Sequence, residues 1–337
     1  MMRLPKFRYL APTTVDEATR ILKGEGPNAM FLAGGTDLFP NMKRRQQTPS
    51  VVVGLRNVRN LSQVKKRKEG LTLGAMISLT DVVNESAVHE IYGGLWKAAY
   101  QVSTPQLRNM GTIGGNLCLD TRCNYYDQSY EWRKAIDFCM KKDGGICWVA
   151  PSSPRCWAVS STDTAPALIS LRAKVRLLSS KGDRSIDLDS FYADDGIRYL
   201  TKQPDELLTE IVLPDATGWK STYWKLRRRG SFDFPILSVA AAVKMKKGVV
   251  EEARIVLGAV SSRPQWVKEA GEVLLGKSLT DDSIASSAEV SFKPAKPMDN
   301  TDFGLAWRKK MVRLFVTNAL RELRGDTVRD IKNRLTR

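Results

Sequence analysis

Apolar and polar positions along the chain divide into strand-like and helical stretches. Phe7 to Ala11 reads as a short strand. Thr13-Thr14-Val15-Asp16-Glu17 reads as a helix start, with a threonine cap and acidic residues in the first turn. That helix is expected to reach about Leu22 and to stop at Gly24 and Gly26. Ala29 to Leu32 has a buried-strand pattern, and a helix is suggested from Leu38 to Arg45. Ser50 to Gly54 and Leu71 to Met76 are β-rich, with Lys65 to Gly70 as a charged hairpin-like link. Ser78-Leu79-Thr80-Asp81 looks like a capped short helix, and Glu90 to Val102 has helical periodicity. Lys174 to Leu178, Ser185 to Leu188 and Leu207 to Pro214 read as strands, and the turn at Asp215 to Gly218 as a domain boundary. Beyond it, Ser221 to Arg228 alternates as a strand. Leu237 to Met245 and Glu252 to Val260 form a hairpin about Lys246-Lys247-Gly248. Helices are expected at Trp266 to Leu275 and Leu305 to Leu323.

One segment does not fit this pattern. Residues 119–160 carry little helix or strand periodicity and are rich in Tyr, Trp, Asp and Lys. All five cysteines fall between Cys118 and Cys156, whereas structural free cysteines are usually scattered singly. The confinement needs a local cause. A segment so poor in core residues would be ordered by a metal centre, and four thiolates suit a [4Fe–4S] cluster or a four-cysteine zinc site equally in ligand count. Zinc sites usually show paired cysteines about two to four residues apart, and this set has none.

Composition narrows the classes. A chain of 337 residues is long for one core, so about two or three domains are expected. With 42% hydrophobic and 26% charged residues it reads as an ordinary globular protein. The longest apolar run, Phe234 to Val243, is far short of the roughly 20 residues that span a bilayer. The start has no apolar signal core, and an odd cysteine count argues against a disulfide framework. The expectation is therefore a cytoplasmic protein without membrane contact. The formal charge of +17 suits an acidic partner. Its basic clusters, such as Lys65-Lys66-Arg67-Lys68 and Arg227-Arg228-Arg229, are dispersed and carry no nucleic-acid motif, so an acidic protein is expected rather than nucleic acid. His89 is the only histidine, which excludes a histidine-based triad or metal site.

Two glycine pairs carry the candidate chemistry. Ala33-Gly34-Gly35-Thr36-Asp37 follows a strand, and Gly111-Thr112-Ile113-Gly114-Gly115-Asn116 follows a helical stretch. Paired glycines let backbone amides converge on a phosphate, although Gly-Gly alone also suits a plain strand–helix turn. Neither is a Gly-x-Gly-x-x-Gly fingerprint, so no Rossmann domain is implied. The two loops suggest one dinucleotide held between two backbone cradles. Asp163, in Ser161-Thr162-Asp163-Thr164, is available to bond a cofactor hydroxyl or to serve as a helix cap. Lys225 reads either as a cation near a flavin edge or as part of a solvated strand face.

In this order, the Phe31 to Leu38 stretch, Arg108 to Leu117 and Asp163 resemble the FAD subunits of the molybdenum hydroxylases, the xanthine dehydrogenase and carbon monoxide dehydrogenase family. The resemblance extends to about Leu323. It implies an α+β chain: a PCMH-type (vanillyl-alcohol-oxidase-like) FAD-binding domain over 1–217, then a smaller α/β domain of the CO dehydrogenase flavoprotein type over 218–323. Residues 324–337 are left as a basic tail. The implied flavin contacts are Phe31, Leu32, Ala33, Gly34, Gly35, Thr36, Asp37, Leu38, Val102, Thr112, Gly114, Gly115, Asn116, Asp163, Leu208 and Lys225. No catalytic residue is implied, because substrate is handled elsewhere.

The cysteine segment resembles the insert of the β subunits of 4-hydroxybenzoyl-CoA reductases, the reductive branch of that family. This implies a [4Fe–4S] cluster on Cys123, Cys139, Cys147 and Cys156, with Cys118 left over as a small buried residue or, if the loop folds differently, as the ligand in place of Cys123. It further implies an electron-transfer subunit of an oxidoreductase, fed by ferredoxin. Its partners would be a molybdopterin-carrying large subunit and a [2Fe–2S] small subunit, in an expected dimer of heterotrimers. The reaction would be reductive dehydroxylation of an aromatic CoA thioester in aromatic degradation. The alternative is the FAD subunit of an oxidative hydroxylase with a zinc-stapled insert.

Overall fold

The computed structural model describes residues 3–328, so 329–337 of the expected basic tail lie outside the described residues. Three sheets organise the chain. The first is parallel, with β1 (Arg8–Leu10), β2 (Ala29–Leu32) and β3 (Val51–Gly54) in the order β1-β3-β2. Its crossovers carry α1 (Val15–Glu25) and α2 (Leu38–Lys43). At the start of α1, the Thr14 hydroxyl accepts from the Glu17 amide at 3.2 Å, and the Glu17 carboxylate accepts from the Thr13 amide at 2.9 Å. The reciprocal pair satisfies orphan donors of the first turn. The helix runs through Gly24 and stops at Gly26, whose φ of 62° leaves the helical region. Every residue of β3 is buried, as expected of a central parallel strand.

The second sheet is antiparallel: β4 (Val64–Arg67), β5 (Gly70–Gly74), β6 (Lys174–Ser179), β7 (Gly182–Asp187) and β8 (Leu207–Pro214), ordered β4-β5-β8-β6-β7. Here the expectation of a charged link at Lys65 to Gly70 is corrected. Lys65, Lys66 and Arg67 belong to the edge strand β4, where charge protects an exposed edge from further pairing. Between β5 and β6 come α3 (Leu79–Asn84), α4 (Ser86–Ile91), α5 (Gly93–Tyr100), α6 (Pro105–Arg108), α7 (Ile113–Leu117), α8 (Tyr130–Ala135) and α9 (Thr164–Ser170). Leu95, Ile113, Leu117 and Leu168 from these helices pack on Leu73, Val175 and Ile211 of the sheet in the largest core. In the 119–160 segment, α8 is the only helix, and the remaining regular pairing is isolated bridges at Arg122 and Cys139.

The third sheet is β9 (Trp219–Leu226), β10 (Leu237–Lys246), β11 (Val249–Gly258) and β12 (Gln265–Trp266), ordered β12-β11-β10-β9. One face carries α10 (Lys268–Glu272), α11 (Asp281–Phe292) and α12 (Leu305–Arg324), and α5 and α9 pack on the other. The apolar run before Val243 is therefore a strand buried on both sides. Val239, Ala241 and Val243 face the C-terminal helices, and Ala240 faces the main core. Among the described residues no helix is long and apolar enough to cross a membrane. The expected helix from Trp266 shrinks to α10, because Gln265 and Trp266 pair with β11. α11 escapes the periodicity reading because Ser283, Ser287 and Ser291 share its buried face with only Ile284 and Ala288. Their hydroxyls donate to the Ser278, Ala270 and Ser287 carbonyls at 2.8, 2.7 and 2.8 Å.

Glu322 of α12 ties this last unit to the helices above it. Its carboxylate accepts from Lys97 of α5, from the Thr222 hydroxyl at 2.9 Å and from the Trp224 indole at 2.8 Å. Removing it strands the Thr222 and Trp224 donors, while Lys97 keeps the Thr222 oxygen at 3.1 Å, so Glu322→Ala is expected to cost about 1–3 kcal/mol. The measurement is urea unfolding, with a lowered midpoint at unchanged slope.

Candidate functional site

β2 delivers the chain into the first glycine loop and α2 takes it away. A Cβ placed on Gly34 would lie 1.8 Å from the Met110 carbonyl oxygen and 3.1 Å from Gly111 Cα. The two glycine motifs therefore touch, backbone against backbone, and only glycine permits it. Among the described residues the amides of Gly34 to Asp37 have no hydrogen-bond acceptor. Polar backbone groups left open beside a cavity are donors in waiting.

The second loop is different: among the described residues the Thr112 amide alone lacks an acceptor there, so the expectation of a second cradle of several amides is corrected. The amides of Ile113 and Gly114 go to the Ile77 and Ala75 carbonyls at 3.1 and 2.9 Å. Those of Gly115 and Asn116 go to the Thr112 hydroxyl and carbonyl at 3.0 and 2.9 Å. This loop contributes shape and one polar hub. Asn116 Oδ1 accepts from the Thr162 and Thr164 hydroxyls at 2.9 and 2.7 Å and from the Thr164 amide at 3.1 Å. That hub fixes the loop that carries Asp163.

The loops open on a cavity of about 690 Å³, within the usual range for a cofactor site. All the sequence-derived contacts line it except Leu32 and Lys225. Leu32 turns under the loop to pack with Leu38, Met42 and Val52. Lys225 is fully enclosed: its ammonium pairs with Asp163 at 2.9 Å and donates to the Gln101 carbonyl at 3.1 Å. It acts on the cavity only through Asp163. The Asp163 carboxylate also accepts from the Tyr223 hydroxyl at 2.7 Å and makes no bond capping α9. Burial pushes this carboxyl up, and Lys225 beside it opposes that push. Burial likewise pushes the Lys225 ammonium down, with Asp163 resisting. The two charges hold each other.

Other lining residues had no signal in the periodicity: Asp120, Arg122, Tyr199, Lys202, Phe232 and Phe234. Arg122 matters most. It pairs with Asp37 of the first loop, donates to Asn41 Oδ1 at 3.1 Å and sits 4.7 Å from the centre of the Phe234 ring. The residue that follows it is Cys123.

Cys123, Cys139, Cys147 and Cys156 are all buried and line one small pocket, while Cys118 stands apart on the wall of the large cavity. The Ala158 amide donates to Cys156 Sγ at 3.4 Å, a bond that a thiolate accepts better than a thiol. The pocket measures about 10 Å³, roughly the room of one water. Among the described residues no group of three or more His, Cys, Asp or Glu stands in the geometry of a metal cage. The donor chemistry fits a thiolate-bound centre, and the pocket must widen to receive one.

Two predictions follow from this geometry. Gly34→Ala cannot keep the loops in contact and is expected to lower the unfolding midpoint measured by thermal circular dichroism. In metal-free protein at neutral pH, Cys147 should alkylate before Cys123 and Cys156. Hydrogen bonding from Cys156 brings its thiol down to about 5, whereas burial pushes Cys123 up to about 12 and Cys156 higher still. Its advantage should fade as pH falls through that value and the thiolate is protonated. Peptide mapping after timed iodoacetamide treatment reads it, and equal rates at all three would refute the pairing.

Comparison with known proteins agrees with this geometry. Residues 5–216 match the family described as the FAD binding domain in molybdopterin dehydrogenase, and residues 221–323 match the CO dehydrogenase flavoprotein C-terminal domain. The aldehyde oxidoreductase FAD-binding subunit of Escherichia coli is 32% identical over 274 residues, covering 78% of this chain and 84% of that one. The glyceraldehyde dehydrogenase medium chain of Sulfolobus acidocaldarius is 27% identical over 325 residues, covering 95% and 99%. In fold, a chain of the reconstituted CO dehydrogenase from Oligotropha carboxidovorans superposes with a TM-score of 0.80 at 24% identity, covering 96% of this chain and 99% of that one. A free-amide glycine loop, a second glycine loop in contact with it and a cavity of dinucleotide size thus stand in a matching sequence: the chain belongs to the FAD-binding medium subunits of the molybdenum hydroxylase family.

Proposed function

We propose that this subunit is an electron relay with two redox sites, FAD in the large cavity and a [4Fe–4S] cluster on Cys123, Cys139, Cys147 and Cys156. The observation that carries the reading is the convergence of four buried cysteines on one pocket, parted from the cavity by the Lys141–Asp120 pair. FAD, when bound, exchanges one or two electrons, and an iron–sulfur cluster exchanges one. The chain's own part is to hold and orient. The open amides of Gly34 to Asp37 would take the pyrophosphate, and Asp163, fixed by Lys225 and Tyr223, would accept from a flavin hydroxyl or ring N–H. Phe232 and Phe234 cover apolar surface at the mouth.

The finer assignment is the FAD and iron–sulfur subunit of a 4-hydroxybenzoyl-CoA reductase. In it a small [2Fe–2S] subunit and a molybdopterin-carrying large subunit would take the electrons, and an acidic donor such as ferredoxin would supply them. The charge of +17 suits that donor. A second reading is favoured by the names of the relatives, which are a dehydrogenase medium chain and an oxidoreductase subunit. In that case electrons arrive from an oxidised substrate, and the cysteines hold a structural zinc.

Two measurements decide between these. The first is FAD, iron, acid-labile sulfide and zinc per chain in anaerobically purified protein. About four iron and four sulfide support the relay, one zinc supports the second reading, and neither sinks both accounts of the insert. The second is FAD affinity by fluorescence quenching: Asp163→Asn is expected to weaken it roughly tenfold, about 1.4 kcal/mol. An unchanged affinity would remove Asp163 from the site.

A further inference from the structure

The wall between the cysteine pocket and the large cavity is one buried ion pair thick. Lys141 lines the cysteine pocket, Asp120 lines the cavity, and the two meet at 2.8 Å. All three N–H groups of the ammonium are engaged. They go to Asp120 Oδ1, to the Thr121 hydroxyl at 2.7 Å and to the Gly196 carbonyl at 2.7 Å. The second carboxylate oxygen accepts from the Tyr126 hydroxyl at 3.2 Å and from the Gln47 amide at 3.3 Å. The ammonium lies 4.8 Å from the centre of the Tyr126 ring, which borders the cysteines. It lies 5.5 Å from the Tyr199 ring, which borders the cavity. Neither charge has a free direction in which to turn.

A buried ion pair gains little stability, because desolvation offsets much of the attraction. What it does supply is a fixed field in a region of low effective dielectric. Its positive end borders the cysteine pocket and its negative end borders the cavity.

We infer that the Lys141–Asp120 pair is a fixed dipole that sets the step in reduction potential between the cysteine-held cluster and the cavity-bound FAD. This rests on the relay reading above. The positive pole borders the cysteine pocket and would stabilise the reduced, more negative state of a cluster held there, and the negative pole borders the cavity and would disfavour added charge on a flavin bound there. In the transfer itself one electron leaves one centre and one arrives at the other. No bond forms or breaks, and the proton stays on Lys141 Nζ throughout. Lys141 and Asp120 are positioning residues of the field. They touch neither reacting atom, and they set how readily the cluster accepts an electron relative to FAD.

The test is a redox titration of the holoprotein at fixed pH, with the cluster followed by electron paramagnetic resonance and the flavin by absorbance. Iron, sulfide and FAD are counted in each sample. In K141M/D120N, which removes both poles together, the cluster midpoint should fall and the flavin midpoint should rise. The equilibrium ratio of reduced cluster to reduced flavin is expected to drop at least tenfold, which is 59 mV for one electron. Lys141→Arg should restore the wild-type step. Midpoints unchanged in a double variant with full iron, sulfide and FAD overturn the inference and leave the relay reading standing. If the double variant loses its iron, Asp120→Asn alone decides: the flavin midpoint should rise, and an unmoved one overturns the inference. Wild-type protein without about four iron and four sulfide overturns the relay reading itself, and this inference with it.

Discussion

The cavity depends on one contact, the backbone of Gly34 against the carbonyl of Met110 and the Cα of Gly111. The first loop hangs from the parallel sheet and the second from the helices that cover the antiparallel one. Any side chain at Gly34 would hold these units apart by the width of a methyl group, and the cavity between them would open into a cleft. The contact leaves a division of labour. The first loop keeps its amides free because no strand or helix of its own claims them. The second spends its amides on Ile77, Ala75 and Thr112 and is thereby rigid enough to be leaned upon. Rigid backing with open donors in front is what anion recognition by main chain requires.

Much of this was legible in the residues because a physical necessity selects the residue type. Only glycine tolerates the loop contact, so the glycine pairs marked the site. The strands β2, β3, β8 and β10 were legible because burial leaves their apolar pattern no freedom. α11 was not, since a stripe of serines that bond to nearby carbonyls packs as well as alanines and carries no apolar period. β4 was not, since a charged edge strand resembles a linker until its partner is known. The partnership of Asp163 with Lys225 lies in neither segment's local pattern. It exists because α9 and β9 are brought together in the folded chain, and it turned a lysine expected at the flavin into the residue that holds the carboxylate there. The cysteines gave their number and confinement in sequence, whereas convergence on one pocket is a property of the fold.

Charge is used at this site in a consistent way. Asp163 with Lys225, Asp37 with Arg122, and Asp120 with Lys141 each place an acid on the cavity wall with its cation at the acid's back or side. Unpaired, such carboxylates would lose their fixed direction. Paired, they remain fixed acceptors. The wall thus carries paired acids together with the cations Arg44, Arg122 and Lys202, while the open amides add positive character at the first loop. A dinucleotide with a phosphate region and a hydroxyl-bearing region meets complementary charge along its length.

The cysteine segment is built into this wall rather than appended to it. Arg122 pairs with Asp37 of the glycine loop, and the Cys123 amide donates to Asp127 at 3.2 Å, whose carboxylate stands 3.7 Å from Arg122. Gly196 donates to the Cys156 carbonyl at 2.9 Å, accepts from Lys141, and has room for no Cβ, which would fall 2.7 Å from Cys156 Sγ. Whatever displaces the sulfurs must therefore also move groups that border the cavity. Against the expectation from its composition, the segment packs a small cluster of its own, Tyr126, Ala158 and three of the cysteines against Met140 and Trp148, and it is also held through residues that border the cavity. Order in the two sites is then coupled by contact, and a thiolate-bound centre in one would stiffen the other.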